Sequence, residues 1–252
     1  MSVTFECDGG TAVITIDRPE ARNAVDLDVA RGIAAAIDEF DARGDLAVAI
    51  LTGAGGTFCA GLDLKAFTRG EIPIIPGRGF GGLTESPPAK PLIAAVEGWA
   101  LAGGFELVLA ADMVVAARDA KFGLPEVRRG LVAGAGGLLR LPKVLPYQMA
   151  MQAALTGEPL TAETAHAHGV VNLLTEPGDA LAGARGLAAK VAAGGPLAVR
   201  TSKRIISMSS GYTNADAFAA QRALVEPVLA SADALEGARA FVEKRAPAWT
   251  GE

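Results

Sequence analysis

"LAGGFELVLAAD", residues 101–112, is the stretch on which the fold turns. Two glycines stand directly before an apolar run at helical spacing, and one glutamate sits inside that run. Glycine is a poor helix former and an unpaired buried carboxylate is costly, so each calls for a reason. A helix that begins near Gly103 leaves its first N–H groups without intrahelical acceptors, and its dipole adds partial positive charge there. Lacking side chains, Gly103 and Gly104 are expected to let a ligand come close to those N–H groups. Such a turn suits negative charge developing on an oxygen.

On either side the pattern is strand-like. "PLIAAVEGWA" (91–100) reads as one buried strand and "DMVVAARD" (112–119) as the next. Upstream, "TAVITIDRP" (11–19) alternates apolar and polar residues and stops at a proline. "VDLDVARGIAAAIDEFDARG" (25–44) spaces its apolar residues as an amphipathic helix, with Gly44 expected as its C-terminal cap. "LAVAILTGAG" (46–55) suits a strand covered on both faces. Beyond about residue 145 helices take over, at 146–156, 161–168, 179–193, 196–209, 213–230 and 231–245, broken by a short strand near "VVNLL". The class is therefore α/β, with a helical C-terminal portion.

Between core elements lies "RGEIPIIPGRGFGGLTESPPAK" (69–90), rich in Gly and Pro and without periodicity, which reads as a lid or binding loop. Its literal G-x-G-x-x-G at Gly77, Gly79 and Gly82 has prolines on both sides in place of a strand and a helix. It is not a dinucleotide site.

Composition narrows the function. Of 252 residues half are hydrophobic, the net charge is −5, and no basic cluster with interleaved aromatics follows a phosphate backbone, so nucleic acid is not the expected partner. "MSVTFECDGG" lacks a secretory signal, and no apolar stretch reaches the roughly 18 residues of a spanning helix. The expectation is a soluble cytoplasmic chain without membrane partners. Cys7 and Cys59 are too few for a disulfide framework, and Cys59 reads as a small core residue. His166 and His168, two apart in a helical stretch, diverge and make a poor metal pair. Neither a G-x-S-x-G elbow nor a P-loop lysine motif is present. Chemistry rests on carboxylates, backbone donors and thiols.

A second glycine turn, "GGTFCAGLDLKAF" (55–67), resembles the first in form. The N–H of Leu62 is expected to point at the same oxygen as that of Gly103, because adjacent strands end side by side. Two converging donors make an oxyanion hole, and losing one such donor costs about 10²- to 10³-fold in rate. Asp63, just beyond, reads as a helix cap. Glu106 lies one helical turn after Gly103 and, taken alone, reads as a glutamate held in a buried salt bridge. In "KFGLPEVRRGLVAGAGGLLRLP" (121–142), however, Glu126 follows a proline in a loop and brings a second carboxylate. Two close carboxylates can share one water or divide acid and base roles. With an oxyanion hole they suit reactions through an enolate.

These residues together resemble the enoyl-CoA hydratase/isomerase, or crotonase, family. The similarity runs through "ITIDRPEARNAVD", "AILTGAGGTFCAGLDLK", the whole of 91–142, "LTGEPLTAETAHAHGVVN" and "ARAFVEKRAPAW". "FGLPE" and "GGLLRLP" lean toward the branch containing carnitinyl-CoA dehydratase. The resemblance implies a spiral of ββα units over 1–195 carrying an acyl-CoA site, and a helical oligomerisation region over 196–252, assembled as a homotrimer or a dimer of trimers. It implies an acyl-CoA thioester as substrate, with coenzyme A part of that substrate, and no metal or redox cofactor. By motif position the thioester oxygen falls to the N–H groups of Leu62 and Gly103, and the catalytic pair is Glu106 and Glu126. Glu126 is assigned to proton transfer at the α-carbon and Glu106 to the water that adds to the β-carbon, with the split between them open. Lys65, Lys244 and Arg22 match CoA-contacting positions, Lys244 toward a neighbouring subunit. Each of the two lysines reads equally as a solvated surface residue.

The leading function is hydration of a trans-2-enoyl-CoA to a 3-hydroxyacyl-CoA. The alternatives are a Δ3,Δ2-enoyl-CoA isomerase, a carnitinyl-CoA dehydratase-like lyase, and a non-catalytic acyl-CoA binding protein.

Overall fold

The computed structural model describes residues 2–211 and 214–251. The chain opens with an antiparallel pair, β1 (Val3–Asp8) and β2 (Thr11–Ile16), then a single 3-10 turn and helix α1 (Leu27–Ala42). Asp26 caps α1 by accepting from the Val29 N–H, and the helix buries Val29, Ile33, Ile37 and Phe40 along one stripe. Each such burial is worth about 1.5–3 kcal/mol. Gly44 does not cap α1. The helix stops at Arg43, which is extended with its N–H on Glu39 and Phe40, and the guanidinium of Arg43 grips Asp45, so the chain leaves without a left-handed residue.

Strand β3 (Val48–Gly53) leads to the short helix α2 (Leu64–Phe67), and a two-residue hairpin, β4 (Ile74–Ile75) with β5 (Gly79–Phe80), lies inside the Gly/Pro-rich loop. The G-x-G-x-x-G thus belongs to a hairpin with no helix after it.

The stretch 91–100 is two strands, not one. β6 (Leu92–Val96) and β7 (Trp99–Leu101) are separated at Gly98, whose φ of +55° turns the chain out of the first sheet into a second. Helix α3 (Gly103–Ala110) follows, then β8 (Met113–Ala117), β9 (Lys121–Gly123), a 3-10 turn at Pro125–Arg129 and α4 (Gly137–Val144). Strand, strand, helix is therefore the repeating unit. Helix α5 (Tyr147–Thr156), β10 (Leu160–Thr161), α6 (Ala162–Ala167), β11 (Leu173–Thr175) and α7 (Ala180–Ala192) complete the core.

The main sheet runs β1-β2-β3-β6-β8-β11, parallel from β2 onward, and the small sheet runs β10-β9-β7. All five residues of β6 are buried, as a parallel strand covered on both faces requires. On one face Val13, Ile50, Ile93 and Val115 meet a stripe of Ala180, Ala184 and Ala188 on α7; the opposite face packs Ile14, Ile16, Leu51 and Val96 against α1 and the small sheet.

Three further helices follow: α8 (Pro196–Met208), α9 (Asn214–Leu229) and α10 (Ala232–Glu243). Residue 213, where the sequence places the start of the second of these, is outside the described residues, as are 1 and 252. Lys203 holds α8 to the core through Asp112 at 2.6 Å and the Lys90 carbonyl. No helix among the described residues is long and apolar enough to cross a membrane.

Candidate active site

The two glycine turns come together because three segments pair edge to edge. Cys59 bridges to Ala100 in parallel, with Cys59 N donating to the Trp99 carbonyl and Leu101 N to the Cys59 carbonyl. On the other side Leu62 bridges to Val25, through Val25 N on the Gly61 carbonyl at 2.7 Å and Asp63 N on the Val25 carbonyl at 2.9 Å. Both bonds of that bridge use residues 61 and 63, so the Leu62 N–H faces away from Val25 and toward the 101–103 corner. Among the described residues neither the Leu62 nor the Gly103 N–H finds an acceptor.

A buried Asn23, absent from the sequence reading, locks this arrangement. Its amide donates to the carbonyls of Ala54 and Thr57, at 2.8 Å each, while its Oδ1 accepts from Arg18 N. Only its place in "EARNAVD" marked it, and a side chain that bridges two distant turns has no local signature. Arg18, also missed, pairs with Asp26 at 2.8 Å and Asp63 at 3.1 Å beside the same opening. Asp63 is the helix cap expected of it, accepting from the N–H groups of Lys65 and Ala66.

The glycines have a different reason from the one expected. A Cβ at Gly103 would run into the ring of Phe80, and one at Gly104 into the carbonyl of Cys59. Close packing of α3 on the strand beneath it, and of the 69–90 loop on the helix start, demands them, rather than ligand access alone. The left-handed corner is Ala102 itself, at φ +53° and ψ −128°, a conformation costly for any residue with a Cβ.

Glu106 is buried, 3% exposed, and no salt bridge among the described residues holds it. Its Oε1 instead accepts from two main-chain amides of the glycine-rich turn, Ala135 N at 2.7 Å and Gly137 N at 2.9 Å. Burial still pushes its carboxyl above the ordinary 4.5, against the pull of those two amides and of Arg140. Its Oε2 is left without a hydrogen-bond partner among the described residues and the side chain lines the cavity.

Glu126, on the 3-10 turn after β9, is partly buried, and its Oε2 is sealed from solvent without a hydrogen-bond partner among the described residues. Burial, joined by the charge of Glu106, pushes this carboxyl up to about 7. Both glutamates, with Leu62, Gly103, Arg22 and Lys65, line one cavity of about 950 Å³. A second, largely apolar cavity of about 360 Å³ meets the first at Glu126 and Val132.

The structure thus brings together six of the seven site residues named from sequence. Lys244 is the exception: it ends α10 in an exposed left-handed conformation, away from this cavity. Cys59 is fully buried with its thiol pushed up to about 12, an inert core residue, and both histidines are exposed.

The chain is similar to known proteins over nearly its whole length. A family model described as Enoyl-CoA hydratase/isomerase matches residues 6–252. The curated carnitinyl-CoA dehydratase of Salmonella typhi is 44% identical over 247 residues, covering 94% of each chain. The solved structure of enoyl-CoA hydratase from Mycobacterium tuberculosis H37Rv is 58% identical with a TM-score of 0.98, covering 100% of this chain and 99% of that one. Carnitinyl-CoA hydratase from Mycobacterium avium is 42% identical with a TM-score of 0.80, covering 100% of this chain and 99% of that one.

Proposed function

We propose, for a chain that belongs to the enoyl-CoA hydratase/isomerase family and is a hydro-lyase, that it adds water reversibly to a trans-2-enoyl-CoA to give the 3-hydroxyacyl-CoA. One observation carries the reading: two carboxylates held in unequal environments line the same cavity as two amides that find no acceptor among the described residues.

The unequal environments divide the work. Glu106, gripped at Oε1 by two amides, keeps Oε2 for a water and serves as base. Glu126, whose carboxyl is pushed up to about 7 so that a protonated fraction persists to neutrality, serves as acid. Glu106 takes a proton from water as the oxygen bonds to the β-carbon, and the π electrons move onto the thioester oxygen. There the N–H groups of Leu62 and Gly103 meet the developing charge. Glu126 then gives its proton to the α-carbon and the carbonyl re-forms. The two carboxylates have exchanged protonation state, and exchange with solvent resets them. The reaction draws on carboxylates and amides alone, with coenzyme A entering as part of the substrate.

Arg22 and Lys65, exposed on the cavity lining, support a role at the CoA phosphates. Exposed apolar side chains on the last helices, among them Ile206, Leu229 and Phe241, support a trimer or a dimer of trimers in which Lys244 serves a neighbouring site. A carnitinyl thioester is the second reading: curated relatives carry that name, and the Glu85 carboxylate lines the same cavity, where it suits a quaternary ammonium. An isomerase needs only one of the two carboxylates.

Incubation with crotonyl-CoA, followed by the conjugated thioester absorbance, tests the reading. Loss of absorbance and appearance of 3-hydroxybutyryl-CoA are expected. No turnover of crotonyl-CoA, longer homologues or carnitinyl-CoA, together with tight thioester binding, would leave a binding protein instead.

A further inference from the structure

We propose that Arg140 is a positioning residue for this hydration: one guanidinium ties the loop that roofs the oxyanion site to the turn that grips Glu106, and stands as that carboxylate's countercharge. The inference rests on the hydratase reading above.

Arg140 projects from α4, partly buried, and among the described residues no carboxylate lies within ion-pair distance of it. A cation taken out of water without a partner is costly and calls for a reason. Its Nη2 donates to the Thr84 carbonyl at 2.6 Å and its Nη1 to the Ala135 carbonyl at 3.4 Å. Ala135 is the residue whose own N–H holds Glu106. The left-handed Gly136 between them leaves room for the guanidinium to fold back, since a Cβ there would strike Nη1.

The other end of the tie reaches the oxyanion side. Thr84 N donates to the Phe80 carbonyl, and the Phe80 ring fills the place a Gly103 side chain would need. Gly103, Phe80, Thr84, Arg140, Ala135 and Glu106 therefore form one connected circuit around the cavity. A shift in the 69–90 loop passes through Arg140 to the base, and a misplacement of about 1 Å in such a site costs on the order of 10²-fold.

Electrostatically Arg140 acts on Glu106 and on no other acid among its neighbours. The charged groups facing Glu106 are Arg140 from α4 and Glu126 from the 3-10 turn; Arg129 acts on Glu126. Strand β7 and the rest of α3 carry no charged side chain, and Lys143 of α4 is exposed.

The test is the pH dependence of kcat and KM on crotonyl-CoA for the wild type, Arg140→Met and Arg140→Lys, with thermal unfolding of each. Methionine should lower kcat about 10- to 100-fold with KM changed less than about threefold, and move the acid limb of kcat/KM up by about one pH unit. Lysine should restore that limb to within a few tenths of a pH unit while kcat stays about tenfold low. A merely structural arginine would cost Tm and leave the acid limb in place, and that outcome overturns the inference. Should the methionine variant not fold, Arg140→Lys decides: lowered kcat with the wild-type acid limb and an unchanged Tm supports the tie, and unchanged kcat, or a kcat loss matched by a loss of Tm, refutes it. A wild type inactive on every enoyl thioester sinks the hydratase reading, and the inference with it; an active wild type with unaltered variants sinks the inference alone.

Discussion

Glu126 sits with one carboxylate oxygen sealed from solvent and without a hydrogen-bond partner among the described residues, and burial beside Glu106 pushes its carboxyl from 4.5 up to about 7. Unfolding returns it to water and to 4.5. Between those pH values the native chain holds a proton that the unfolded chain releases, so rising pH favours unfolding. Stability from this group is full below about pH 4.5 and is lost as pH climbs through about 7. The difference of about 2.5, at about 1.4 kcal/mol each, sets an upper figure of about 3.5 kcal/mol. Partial exposure and relaxation around the charge bring the expected cost to about 1–2 kcal/mol. Glutamine keeps the shape and removes the charge. Glu126→Gln should therefore be about 1–2 kcal/mol more stable than wild type at pH 8, with the difference shrinking to a few tenths at pH 4.5. Urea unfolding at both pH values and a fixed protomer concentration measures this, and turnover on crotonyl-CoA should be lost in the same variant. Equal stability at pH 8, or an offset that ignores pH, would refute the reasoning and remove Glu126 as an acid poised near neutrality.

Three further outcomes follow from other parts of the site. Ala102→Gly should raise stability by about 1 kcal/mol by relieving the left-handed corner, and thermal unfolding that shows no gain or a loss speaks against strain there. Gly61→Ala forces a Cβ to within 2.7 Å of the Ala102 Cβ and 2.9 Å of Gly103 N at a φ of +89°, so the Leu62 and Gly103 amides must part. A folded Gly61→Ala protein should lose about 10²-fold or more in kcat, and near-normal kcat would dissociate that corner from catalysis. Cys59, buried with its thiol pushed up to about 12, should resist a thiol reagent that labels Cys7 and react only on unfolding. Rapid labelling of both in the native protein contradicts the buried assignment.

Periodicity carried the long elements well: the C-terminal helices and α1 fall within a residue or two of where apolar spacing puts them. Short strands escaped it, because the two or three residues of β9 and β10 cannot show a period. β1 was overlooked although "VTFECD" alternates, its run being brief and close to the terminus. The break at Gly98 was visible only as a glycine, and nothing in "AVEGWA" says that the chain changes sheet there. At the site, Glu106 stood out inside an apolar helical run and Leu62, Gly103 and Glu126 at turns, and all four line one cavity. What answers the charge of Glu106 was not legible. Its donors are backbone N–H groups 29 and 31 residues away, and a main-chain amide has no residue type to read. Arg140 stood in the quoted "GGLLRLP" for the same reason unassigned, since its acceptors are carbonyls.

The most direct trial is to incubate a trans-2-enoyl-CoA with the protein in ¹⁸O-labelled water and weigh the product by mass spectrometry. Hydration gives an intact thioester heavier by one labelled water, with the heavy oxygen as a hydroxyl on the β-carbon. Label appearing instead in a free acid, with coenzyme A released, would show the carbonyl carbon to be the point of attack and contradict it.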